Sequence, residues 1–316
     1  MELRPTRDDV LRARETIGGR LIRTPTFGSR TLSELTGAQV HLKAELFQKT
    51  GSFKPRGVLN KLASLDSDAK AAGVVTWSAG NAAQGVAYAA ARENIACRVF
   101  MWRTANPGKI AAARGYGAEV DLDAENAAEA YERLLAYVDE TGSTFVHPFD
   151  DPALQAGHGT IGLEIEEDVP DVDLIVVPVG GGGLISGIAS AVGCRVVGVE
   201  PVKAASMTAA LDAGEPVTIQ PQSIADGLGT PFTGPGTLAV CRERVDRVVL
   251  VEDEEIEEGF RFLYGRAKLA CEPAGAATTA ALLAGKVPFE PDQHVVAVVS
   301  GGNVAAETAS AILASR

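Results

Sequence analysis

From residue 73 onward the chain alternates short β-branched apolar runs with helical stretches, and that alternation restricts the possible folds more than any other feature. GVVTW (73–77), CRVFMW (97–102), AEVDLD (118–123) and TFVHPF (144–149) are strand-like. AAQGVAYAAARENI, PGKIAAARGYG and AENAAEAYERLLAYVDETG, which lie between them, are helical in composition. A second series starts near residue 172, with DLIVVPV, CRVVGVE, RVVLVE and HVVAVVS as strands. LISGIASAV is the helix after the first of these, and the third leads into DEEIEEGFRFLYGRAKLA. Strands that alternate with helices form parallel sheets covered on both faces. Ahead of both series lie an opening helix, DDVLRARETIGG, an extended region through AQVHLKAELF, and a helix that starts near Lys54-Pro55. The pattern predicts an α/β fold with two parallel sheets. For 316 residues, at roughly 150 per domain, two domains are expected. The small one spans 73–149, and 1–72 with 150–316 form a larger, discontinuous one.

Charge and cysteine usage remove whole classes of function. Acidic residues outnumber basic ones by 41 to 29, for a net charge of −12, which argues against nucleic-acid partners. The four cysteines, Cys97, Cys194, Cys241 and Cys271, are scattered and form no CxxC pair, so neither a disulfide framework nor a zinc site is indicated. The amino-terminal stretch is charged and lacks a signal peptide's apolar core, and no apolar run is long enough to span a membrane. A reduced, cytoplasmic setting is the expectation.

In open parallel sheets, ligands sit beyond the carboxyl ends of the strands. Four loops there stand out: SAGN, PVGGGG, GVEP and SGGN. Gly180, Gly181, Gly182 and Gly183 follow an apolar strand and open a helix. Backbone without Cβ atoms approaches a ligand closely, and free N–H groups at a helix N-terminus bind phosphate. A dinucleotide would use this loop with Glu200 for a ribose, but Ile185 and Ser186 stand where GxGxxG needs its third glycine. In GSFKPRG, Pro55 suits the first helical turn and disfavours helical geometry at the residue before it. Lys54 is therefore expected at the lip of a helix, just outside it, where the positive helix end favours a neutral, nucleophilic amine.

GSFKPRG resembles the Schiff-base lysine motif of fold-type II pyridoxal-phosphate (PLP) enzymes, whose architecture is that of the tryptophan synthase β subunit. SAGNAAQGVAYAA at 78–90 and HPFDDPALQAGHGTIGLEI at 147–165 are similar to segments of threonine dehydratases. PVGGGGLISGIA, GVEP, SIADGL, CEPAGA and VVSGGN follow in that family's order, so the resemblance spans nearly the whole chain. It implies that Lys54 holds PLP as a Schiff base and moves the Cα proton. It also implies that Phe53 packs beside the ring and that Asn81 bonds the 3′ oxygen. Gly180 to Gly183 with the Leu184 amide hold the phosphate, Ser300 bonds the pyridine nitrogen, and Gly227 lies near the ring. Ser78, Ala79, Gly80, Asn81 and Ala82 bind the substrate carboxylate. A small amino acid is the implied substrate, and a homodimer or homotetramer the implied assembly. Glu272 is either near the cofactor or a packing residue, and Asp226 is a loop-ordering residue.

A serine hydroxyl is too weak an acid to keep the ring nitrogen protonated, so Ser300 points to rapid loss of a β-substituent after Cα deprotonation. Dehydration and deamination of threonine or serine to an α-keto acid and ammonia are the activity implied. The rivals are serine racemisation, β- or γ-replacement as in threonine or cysteine synthases, and lyase action on hydroxyaspartate or a bulkier β-hydroxy amino acid. A more distant one is NAD-dependent oxidoreduction, and a cofactor-free binding protein on the same fold is another. Ala79 stands where serine racemases carry the hydroxyl that protonates the opposite face of Cα, which favours dehydration. Ala82 replaces the family's histidine. A divalent-cation site in the family uses the acid of GVEP and a second acid soon after. Glu200 keeps the first and Ser206 occupies the second, so metal ligand and helix-capping acid both remain open for Glu200. The chain ends soon after SGGN, and no regulatory domain of the biosynthetic threonine-dehydratase kind is expected.

Overall fold

The computed structural model describes residues 4–315. The first half contains α1 (Arg7–Ile17), β1 (Thr26–Gly28), α2 (Arg30–Thr36), β2 (Gln39–Ala44), α3 (Lys54–Ala63), α4 (Ser67–Ala72) and β3 (Val74–Trp77). It continues with α5 (Asn81–Glu93), β4 (Cys97–Trp102), α6 (Pro107–Gly115), β5 (Glu119–Ala124), α7 (Ala127–Thr141) and β6 (Thr144–Phe145). The second half contains α8 (Pro152–Asp168), β7 (Leu174–Pro178), α9 (Gly183–Ala191), β8 (Arg195–Pro201), α10 (Ser206–Ala213) and α11 (Pro235–Arg244). Then come β9 (Arg247–Val251), α12 (Asp253–Phe262), α13 (Pro273–Leu283), β10 (His294–Val299) and α14 (Ala306–Ala314).

The strands form two sheets, ordered β1-β2-β10-β7-β8-β9 and β5-β4-β3-β6. Every neighbour pair is parallel except β1 with β2. The two strand series are parallel throughout, as expected, and β1, which lies ahead of them, adds an antiparallel edge. Only residues 29–38 separate β1 from β2, fewer than the dozen or so that a parallel crossover needs.

The apolar runs of the larger sheet are buried on both faces. Leu174, Val176, Val197, Val295 and Ala297 join a core with Phe260 of α12 and Ala277 of α13. The alternate residues Ile175, Val177, Val196, Val296 and Val298 join another with Ile161 of α8 and Ile185 of α9. Each fully buried Val or Ile contributes roughly 1.5–3 kcal/mol, so this two-sided burial holds the strands in the middle of the sheet. In the smaller sheet Val74 packs with Leu59 and Leu62 of α3 and Val86 of α5. Val75 and Phe100 face Leu134 of α7. Helix α3, whose first residue is Lys54, thus packs against the smaller sheet as well as against Leu154 of α8.

Three local expectations are corrected. TFVHPF pairs as a strand only at Thr144 and Phe145. Val146 still donates to Val75, after which the His147 ring accepts from the Phe149 and Asp150 amides and turns the chain. Lys54 lies inside α3 rather than before it, because Phe53 already has helical angles (φ −60°, ψ −18°) and its carbonyl accepts from Arg56. The helix begun at Asp253 ends at Phe262, widens to a π turn over Leu263–Ala267, and stops at left-handed Lys268.

Candidate active site

A cavity of about 680 Å3 opens between the two sheets. The segments that follow β3, β4, β7 and β10 line it, as the strand-end rule requires. GVEP, expected as a loop, is the end of strand β8 itself and does not reach the cavity.

The glycine loop forms one wall. A Cβ on Gly181 would stand 2.4 Å from the Phe149 ring, and one on Gly182 would stand 2.6 Å from Met207 Cε. Gly182 also has φ +92° and caps α9, whose unpaired first-turn N–H groups begin at Gly183. Gly180, Gly181, Gly182, Gly183 and Leu184 all border the cavity. The wall is bare backbone at the positive end of a helix, which suits a phosphate.

Lys54 sits deep in the same cavity, its Nζ donating to the Pro148 carbonyl at 2.7 Å and lying 5.1 Å from the Phe53 ring centre. Burial lowers its pKa to about 8, against a pull upward from Glu272. Phe53 is held edge-on to His158, with centroids 4.7 Å apart. The segment is pinned to the end of β10: the Phe53 amide donates to the Ser300 carbonyl, and Gly302 donates to Gly51. Ser300 is 4% exposed and borders the cavity.

Ser78, Ala79, Gly80, Asn81 and Ala82 line the side of the cavity at the N-terminus of α5. The Ser78 hydroxyl accepts from the Gly80 amide at 3.1 Å, which curls the chain into the helix. Asn81 donates through Nδ2 to Glu272 at 2.6 Å and accepts at Oδ1 from Asn303 at 2.8 Å. Burial and the charge of Asp226 push the Glu272 carboxyl up to about 7, while Asn81, Lys109 and Lys54 pull it down. Gly227 lies opposite, in a short turn beside Ala274. Asp226 of that turn pairs with Lys109 of α6 across the mouth of the cavity.

Every residue assigned from the sequence to cofactor or substrate borders this cavity, and Glu200 does not. Glu200 caps α10: its carboxylate accepts from the Met207 amide at 2.7 Å, the Thr208 amide at 2.9 Å and the Thr208 hydroxyl at 2.7 Å. Burial pushes its pKa up to about 7 despite those bonds. Among the described residues, no group of three or more His, Cys, Asp or Glu side chains is placed to hold a metal. The dinucleotide reading also loses its ribose acid, since Glu200 faces α10 and not the cavity.

Residues 18–301 match the family model described as pyridoxal-phosphate dependent enzyme. The chain belongs to this family. It is 43% identical over 305 residues to the L-threonine ammonia-lyase of Thermotoga maritima, covering 95% of this chain and 76% of that protein. Its fold superposes on the processed form of threonine deaminase isoform 2 from Solanum lycopersicum with a TM-score of 0.90 at 32% identity, covering 100% and 96% of the two chains. Maize serine racemase gives a TM-score of 0.92 at 34% identity, covering 96% and 95%. The residues present fit pyridoxal phosphate: an amine of lowered pKa for its aldehyde, a Cβ-free helix end for its phosphate, and Ser300 and Asn81 for polar groups of the ring.

Several wall residues escaped the sequence reading. Trp102 at the end of β4, Thr104 just after it, Lys109 of α6, and Phe149 line the cavity. Trp102 ends a recognisable strand, so the strand-end rule could have found it. Phe149 carries no such signal, because its place depends on the early turn at His147.

Proposed function

We propose that this enzyme dehydrates and deaminates a small β-hydroxy amino acid, L-threonine or L-serine, to an α-keto acid and ammonia. The observation that carries the reading is Lys54, a half-buried lysine of depressed pKa sharing one cavity with a glycine-walled helix end. Bound pyridoxal phosphate supplies an electron-withdrawing ring that acidifies the Cα–H of an attached amino acid. Lys54 anchors the cofactor and takes the Cα proton. The amides of Gly180 to Gly183 and Leu184 hold its phosphate, Phe53 and Gly227 flank the ring, Asn81 meets its 3′ oxygen, and Ser300 its nitrogen. Ser78 to Ala82 receive the substrate carboxylate at the positive end of α5. Ala79 offers no hydroxyl to return a proton on the opposite face, which supports elimination over racemisation. Glu200 is assigned to capping α10, with no cation role.

Two wider assignments complete the reading. Residues 73–149 are a small domain set on a larger one made of 1–72 and 150–316. The confinement of β3 to β6 to one sheet supports this. The enzyme is assigned to the cytoplasm, a reducing setting consistent with four unpaired cysteines among the described residues, and to a dimeric or tetrameric homo-oligomer. No described helix is long and apolar enough to cross a membrane.

Purified enzyme given L-threonine or L-serine should release keto acid and ammonia in equal amounts, with D-serine forming far more slowly than pyruvate. Racemisation faster than keto-acid release would overturn the role given to Ala79, and turnover of neither substrate would overturn the substrate assignment.

A further inference from the structure

Asn81 is held from both sides by residues to which the reading above gives no task. Its Oδ1 accepts from Asn303 Nδ2 at 2.8 Å, and its Nδ2 donates to Glu272 Oε1 at 2.6 Å. Asn303 is itself tied to the carbonyl of Thr50 at 2.7 Å, and Thr50 is buried in the left-handed region (φ 65°). A rail of hydrogen bonds therefore runs from the segment before Lys54, through the loop after β10, to the start of α5 and on to α13.

The rail decides which way the Asn81 amide faces. A primary amide has one acceptor oxygen and two N–H donors. Here the oxygen is turned toward Asn303 and one N–H toward Glu272, which leaves one N–H free and only the oxygen's second lone pair as acceptor. Flipping the amide would press its oxygen against the Glu272 carboxylate and its NH2 against that of Asn303. Glu272 is 3% exposed, so water does not relieve such a clash. Asn81 borders the cavity, and its remaining polar hydrogen is a donor.

We propose that Asn303 and Glu272 are positioning residues that lock the Asn81 amide with a donor, not an acceptor, available to the cofactor ring. The proposal rests on the assignment of Asn81 to the 3′ oxygen. A phenolate oxygen is an acceptor, and a freely rotating amide would offer it oxygen as often as N–H. The lock removes that loss from cofactor binding.

The test is titration of resolved apoprotein with pyridoxal phosphate. It is followed by quenching of Trp77 and Trp102, both of which line the cavity. Removing the bond to Glu272 should weaken cofactor affinity roughly 10-fold in E272A, and removing the bond to Asn303 roughly 2- to 10-fold in N303A. E272Q keeps the acceptor and should stay within about threefold of wild type, which also guards against a folding defect in E272A. In the N81A background, adding N303A or E272A should cost less than about twofold more, because both act through Asn81. Losses that multiply in that background would overturn the lock and make the two residues merely structural. Unchanged affinity in N81A itself would instead refute the assignment of Asn81 to the ring.

Discussion

Replacing Arg56 with methionine should destabilise the enzyme by about 3–5 kcal/mol, the usual cost of breaking a buried ion pair from one side. Arg56 is 2% exposed and lies two residues after Lys54. Its Nε and Nη2 donate to Glu45 at 2.8 Å each, and its Nη1 and Nη2 donate to Glu164 at 2.7 and 2.9 Å. Lys43, wholly buried, donates to Glu164 at 2.7 Å. The cluster balances Arg56 and Lys43 against Glu45 and Glu164. Arg56→Met leaves it with one uncompensated negative charge and strips Glu45 of its cation. At roughly 2–4 °C per kcal/mol for a larger chain, the melting midpoint should fall by roughly 6–20 °C. The double variant R56M/E45M removes one charge of each sign and leaves Lys43 with Glu164. It should regain most of the loss, since replacing a whole buried pair by apolar residues is often neutral. Circular-dichroism melts at fixed protein concentration, with and without pyridoxal phosphate, measure both variants. A loss under about 1 kcal/mol for R56M, or a double variant as unstable as the sum of the single ones, would refute the charge balance.

Two further outcomes follow from the cavity walls. Gly181→Ala sets a methyl 2.4 Å from the Phe149 ring, so the loop must move, and pyridoxal-phosphate affinity should fall at least tenfold while secondary structure by circular dichroism is kept. The neutral amine is the nucleophile, and a Lys54 pKa of about 8 in place of 10.5 raises its neutral fraction at pH 7 about 300-fold. Cofactor capture by apoprotein, followed by visible absorbance, should therefore quicken with pH and level off above about 8; a rate still climbing to pH 10 would contradict the depressed pKa.

What the sequence disclosed depended on whether local patterns decided the outcome. The runs VVTW and HVVAVV are short, β-branched and set between helical stretches, which favours buried parallel strands, and they became β3 and β10. Helix α8 gave no such signal. Its GHGTIG segment holds three glycines, poor helix formers, and only tertiary packing explains them. A Cβ on Gly157 would meet the Arg56 carbonyl at 2.3 Å, so that glycine serves the contact between α8 and α3. Within the site, the glycine loop and Lys54 were legible because their chemistry requires particular residue types next to one another. Glu272 stood open between cofactor and packing, and its meeting with Asn303 at Asn81 was not legible, because it joins residues about 190 and 220 positions apart and no local pattern encodes that distance. Glu200 stayed ambiguous for a similar reason: its choice between metal and helix depended on where α10 begins.

The central claim is that Lys54 carries the cofactor, and borohydride reduction followed by peptide mass spectrometry tests it most directly. Purified enzyme saturated with pyridoxal phosphate should be yellow and should bleach on reduction. It should yield a single pyridoxyl adduct on the peptide containing Lys54, and K54A should yield none and release no keto acid. An adduct on another cavity lysine such as Lys109, or a colourless protein that stays unlabelled, would contradict the account.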